Sequence, residues 1–229
     1  IVSAAFFQVK IGLDMTDGSS NADTATDVQQ TTESGGRFFW VGMDVFLIVM
    51  VFLGFGSTYG RQLVLGLEIS GAGVVETDWV IHLHTVVFMG WMALLLAQTI
   101  LAARGRTRAH MTLGEYGGIA LGALVVVVGG LITYVQAEAA IAEGIFTWGE
   151  WPQILQFTMV SWLSLLCFVL LLGLGLRHRR QPEVHKRYMV LGTAVLVMAA
   201  FGRMEYLVGP WTLSAGLGLT VTPLLAYDL

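Results

Sequence analysis

The chain has 229 residues, 55% of them hydrophobic and 12% charged, with a formal net charge of −4. Soluble domains carry about a quarter charged residues, so this composition, with a mean hydropathy of +0.72, excludes an ordinary soluble enzyme and points to an all-α, polytopic membrane bundle. The small net charge and the lack of a basic patch interleaved with aromatics exclude a nucleic-acid partner, and the single cysteine, Cys167, excludes an internal disulfide and a cysteine-built zinc site.

In chain order, Ile1 to Leu13 is mildly apolar and too short to cross a bilayer. Asp14 to Gly36 is rich in Asp, Ser, Thr, Gly and Gln and has too little apolar surface to fold alone. Residues 1–36 therefore read as a flexible polar tail and 37–229 as the transmembrane domain. The chain opens on Ile, so a start is expected to be missing or processed, and no basic n-region of a signal peptide is present.

A membrane span needs about 20 apolar residues at about 1.5 Å each. Five runs meet that length: Phe38–Gly56, Trp79–Ala103, Tyr116–Val135, Ile154–Leu176 and Tyr188–Val208. A sixth, Leu213–Leu229, follows the Gly209-Pro210 break and is still apolar where the sequence stops. The expectation is about six spans, and about seven if the natural chain continues beyond Leu229.

Orientation follows from the loops. Arg104, Arg106 and Arg108 join spans two and three; Arg177, Arg179, Arg180, Lys186 and Arg187 join four and five. The alternate links are acidic, with Glu68, Glu76, Asp78, Glu138, Glu143 and Glu150. Basic loops stay in the cytoplasm. The expected location is thus a bacterial inner membrane with a cytoplasmic N-terminus. Trp79, Trp148, Trp151 and Trp211 fall at the outer ends of spans, where indole rings favour the interface.

Polar groups inside spans are costly and mark a short list of candidates. His84, Trp91 and Gln98 recur every seven residues, close to two helical turns, and share one face of span two. That face is either a cofactor- or proton-contacting stripe or a helix–helix seam. His82 and His84 are two apart and point to different sides of the helix. Arg203 and Glu205 lie late on span five at the same outer depth, with Asp78, Glu138 and Gln156 nearby. They make either a structural ion-pair cluster or an anion or propionate site. His110 and His185 sit on the inner side beside basic residues, where head-group contact is the plain role. Asp44, a third of the way into span one, has no local partner; Gln98 or an inner basic residue is expected to pair with it, or burial keeps it protonated. No phosphate loop, metalloprotease helix, nucleophile elbow or paired-cysteine motif occurs.

A bis-histidine haem needs ligands at one depth on different helices. An outer histidine cannot pair with an inner one, so within this chain only His110 with His185 qualifies.

The run His82-Leu83-His84, Trp91, Gln98 and the loop His110-Met111-Thr112-Leu113-Gly114 resembles the HxH, W, Q and HRxLG pattern of a bacterial family of small multi-spanning membrane proteins whose activity is uncharacterised. His185-Lys186-Arg187-Tyr188-Met189 is similar to its HKRLM, and Gly202-Arg203 and Tyr227-Asp228 continue the order. Met111 stands where the family pattern has arginine, and the HPAT-like C-terminal part does not occur. The resemblance covers roughly residues 52–229 and implies fold, orientation and about seven spans when complete; it carries no mechanism.

Three functions follow as expectations. The first is a non-catalytic accessory or assembly subunit of a larger, energy-converting membrane complex, contacting lipid and other subunits. The second is a b-type haem or other redox protein, with His110 and His185 as inner ligands or His82 or His84 as an outer ligand. The third is a small-molecule or lipid transporter or sensor built on His84, Arg203 and Glu205.

Overall fold

The computed structural model describes residues 18–56, 60, 78–142, 144, 151–204 and 212–228, with side chains over slightly narrower ranges. The helices are α1 (Gly18–Phe55), α2 (Asp78–Ala103), α3 (Thr107–Leu113), α4 (Ile119–Ala142), α5 (Trp151–Arg177), α6 (Pro182–Gly202) and α7 (Thr212–Asp228). A π-helical turn, Gly114–Gly118, joins α3 to α4 without a break. No strand occurs among the described residues, and the fold is the expected all-α bundle.

Among the described residues, five segments are long and apolar enough to cross a membrane: Phe38–Phe55, Trp79–Ala103, Thr107–Ala142, Thr158–Arg177 and Pro182–Gly202. The sixth expected span is present as a shorter apolar helix, Ala215–Tyr227. Large apolar side chains face outward along α5, including Leu163, Leu166 and Leu170, each more than half exposed. A helix apolar on all sides has lipid for a solvent, and the chain is an integral membrane protein.

The chain divides into two compact units, Ile1–Phe38 and Phe39–Leu229. In the first, the described part is the polar half of α1, which begins at Gly18, inside the stretch whose composition reads as a tail. Residues 18–37 contain no proline to stop a helix.

In the second unit the helices pack largely in chain order: α2 on α4, α4 on α5, α5 on α6 and α6 on α7. The centre is α6. Of its buried residues, Val190, Thr193, Ala194, Val197, Ala200 and Phe201 recur every three or four positions and form one inward face, and Gly192 lies against α5. Helix α1 meets that face at Gly54, where a Cβ would overlap the backbone of Ala200. The pair lets two helices approach at backbone distance, as small residues do in lipid.

Two helix starts differ from the sequence expectation. Span three begins at Thr107 rather than Tyr116, and span five at Pro182 rather than Tyr188. The polar residues at these starts lower the local hydropathy, yet helix continues through them. Proline suits the first helical turn, where its missing N–H has no partner to lose. Both shifts move a candidate histidine from a loop into a helix.

Candidate histidine site at the basic end

Two helical hairpins build the site. Helix α2 ends at Ala103, and Gly105, at φ 68°, turns the chain into α3. A left-handed φ is open to glycine without steric cost. His110 then faces back over the turn, its Nδ1 3.2 Å from the carbonyl of Gln98. Helix α5 ends at Arg177, and Pro182 opens α6. His185 faces back likewise, its Nδ1 2.7 Å from the carbonyl of Gly175.

The residue one turn after each histidine completes the clamp. Gly114 shares a helix face with His110. A Cβ there would lie 3.2 Å from Gln98 Nε2, so the missing side chain makes room for the Gln98 amide. Met189 shares a face with His185, and its sulfur lies 3.0 Å from where a Cβ on Gly175 would be. His-x-x-x-Gly grips Gln98, and His-x-x-x-Met grips Gly175. The spacing in the two motifs is thus the spacing of one helical turn laid against the preceding helix.

These bonds fix the chemistry of both rings. A carbonyl only accepts, so each Nδ1 donates, and in the neutral ring the lone pair is the one on Nε2. The tautomer is assigned from the bond. Such orientation through Nδ1 is the usual support of a metal-binding imidazole. The two half-buried rings lie 6.4 Å apart between centroids, with planes at 85°. Two imidazoles held this close on different hairpins could between them hold a metal or haem iron, which takes nitrogen ligands of this kind. The two histidines are partly buried against the preceding helices, and their rings meet each other.

Buried polar atoms cluster near this end. Among the described residues, Trp40 Nε1, Asp44 Oδ1 and both amide atoms of Gln98 have no hydrogen-bond partner; away from the site, His84 Nδ1 shares that state. Asp44 is fully buried and its Oδ2 accepts from the Thr99 hydroxyl at 2.6 Å. Its partner is Thr99, not the expected Gln98. The Trp40 ring lies against Phe39 and Tyr227, and Lys186 Nζ stands 4.9 Å from its centroid. Lys186 also donates to Glu183 at 2.7 Å.

The span-two stripe is split by depth. Trp91, 2% exposed, donates from Nε1 to Thr193 Oγ1 at 3.1 Å and packs edge-on against Phe168. Gln98 belongs to the histidine end. His84 lies at the other end, its ring 4.1 Å from that of Phe88 and tilted by 36°, within electrostatic reach of Arg203. His82 is exposed. Arg203 donates to the Ala199 carbonyl at 2.8 Å and lies 4.5 Å over the Phe55 ring, so it closes the end of α6 on α1. Glu138 is exposed. Glu205 and the side chains of Asp78 and Gln156 lie outside the described residues. No group of three or more His, Cys, Asp or Glu suited to a metal ion occurs among the described residues.

No family model, curated protein or solved structure matches this chain.

Proposed function

We propose that this protein is a membrane redox protein that holds a b-type haem between His110 and His185 at its basic end. The observation that carries the reading is the pair itself. Two imidazoles on different hairpins, each tied through Nδ1 to a backbone carbonyl, lie 6.4 Å apart. Haem iron takes nitrogen ligands of this kind, and bound haem would supply one-electron transfer. Arg108, exposed two residues before His110, offers a cation for a propionate, while Lys186 and Arg187 beside His185 are paired with Glu183. The residues of the chain hold, orient and tune such a group.

The same reading places the basic end in the cytoplasm of a bacterial inner membrane, by the charge bias of the loops. It also gives a physical role to the HxxxG and HxxxM elements of the multi-spanning family that the sequence resembles. The test is haem content per chain after haem-replete expression and gentle purification. One haem per chain, lost in His110→Ala and in His185→Ala, is expected. A colourless protein overturns the reading.

The second reading is a non-catalytic accessory subunit of an energy-converting complex. The outward apolar ridge of α5, from Met159 to Leu174, favours it as a surface for a neighbouring subunit's helix or for lipid. Stoichiometric co-purification with a colourless chain would favour it over the haem reading.

A further inference from the structure

We propose that the Asp44 carboxyl is a proton-binding site inside the membrane domain, set in a hydrated polar seam with Thr99, Trp40 and Gln98. Asp44 lies in the apolar half of α1 and is 0% exposed. One oxygen, Oδ2, meets the Thr99 hydroxyl at 2.6 Å; the other, Oδ1, is buried with no partner.

The Thr99 hydroxyl has three oxygen neighbours: Asp44 Oδ2, the Leu96 carbonyl at 3.0 Å and the Leu95 carbonyl at 3.3 Å. It has one proton to give. With Asp44 ionised, Thr99 donates to the carboxylate. With Asp44 protonated, the carboxyl donates to Thr99, and Thr99 turns its proton to Leu96. Both states keep a hydrogen bond between the two side chains. The hydroxyl reverses its bond when a proton arrives, which is what a reversible proton acceptor requires of its neighbour.

A metal ion fits this place poorly. A hard cation takes six or more oxygens, whereas one carboxylate and one hydroxyl are gathered here. No ion pair to Asp44 is found among the described residues. On α6 and α7, which meet the Trp40 ring, the charged and titratable groups at this end are Lys186, Arg187, Glu183, His185 and Tyr227; α2, which carries Thr99, has no charged residue from Thr99 to Ala103, and His110 reaches it at the Gln98 carbonyl. Lys186 and Arg187 are engaged with Glu183 and lie over the Trp40 ring.

A route to the basic end is also marked. Trp40 is one turn before Asp44 on the same helix face, and its buried Nε1–H has no partner. The Gln98 amide, beside Thr99 in sequence, has neither of its polar atoms paired. Buried polar atoms without protein partners are met by ordered water. Water at Trp40 Nε1 and Asp44 Oδ1 would link the carboxyl toward the Lys186 end of the bundle.

The proposal does not rest on the haem reading, and its test needs no haem. Infrared difference spectra of the whole protein in lipid nanodiscs are recorded against pH in H2O and D2O. The expected result is one protonated-carboxyl C=O band that rises and falls reversibly with pH and shifts in D2O. It is lost completely in Asp44→Asn and moves in Thr99→Val, with helix content unchanged by circular dichroism. Should Asp44→Asn fail to fold, Asp44→Glu is expected to shift the band instead. Difference spectra of wild type that superimpose on those of the Asp44 variant would overturn the proposal.

Discussion

Gly54→Ala tests the backbone-distance approach of α1 to α6. The added Cβ would lie 2.8 Å from the Ala200 carbonyl carbon and Cα, and closer still to its oxygen. Both partners are backbone, so neither can rotate away, and α1 must retreat from the buried face of α6. Overpacking of this kind costs about 1–3 kcal/mol. Opposing it is the gain of about 0.5–1 kcal/mol from alanine over glycine inside a helix. The net expectation is a loss of up to about 2.5 kcal/mol. At Gly42, on the same helix, an added Cβ would meet nothing within 4 Å, so Gly42→Ala keeps only the gain. Unfolding in mild detergent titrated with a denaturing one, followed by circular dichroism, gives the two values side by side. Gly54→Ala equal to or more stable than Gly42→Ala would refute the close seam.

Gly114→Ala meets the flexible end of Gln98 instead of backbone, so a cost below about 1 kcal/mol is expected; Gly114→Leu should displace the Gln98 amide and lower haem content together with stability. Trp91→Phe keeps the ring against Phe168 and removes the bond to Thr193, with an expected loss of about 1 kcal/mol by the same unfolding assay. His84→Ala is expected to leave haem content unchanged, because His84 lies at the other end of the bundle from the paired histidines; loss of haem in that variant would move the ligand away from His110 and His185.

Much of the fold is legible in composition and run length, because lipid selects apolar helices long enough to cross it. The inward face of α2 is legible from its seven-residue recurrence, and Trp91 lies there fully packed. The depth split of that face is legible too, since rise per residue separates His84 from Gln98. What hydropathy hides is helix that continues past the apolar run. His110 and His185 both fall in charged segments that read as loops, and both are helical. The signal that could have found them is the pair of four-residue spacings, His110 to Gly114 and His185 to Met189. Partner choice is the other blind point. Asp44 meets Thr99 rather than Gln98 because adjacent residues on a helix differ by about 100° in direction, which only the packed structure resolves.

The most direct measurement is the reduced-minus-oxidised absorption spectrum of wild type, His110→Ala and His185→Ala, each purified in mild detergent from haem-replete cells. A sharp α-band in wild type, absent from both variants while their helix content holds, is the result this account predicts. Absence of the band in wild type, or its survival when both histidines are replaced, would contradict it.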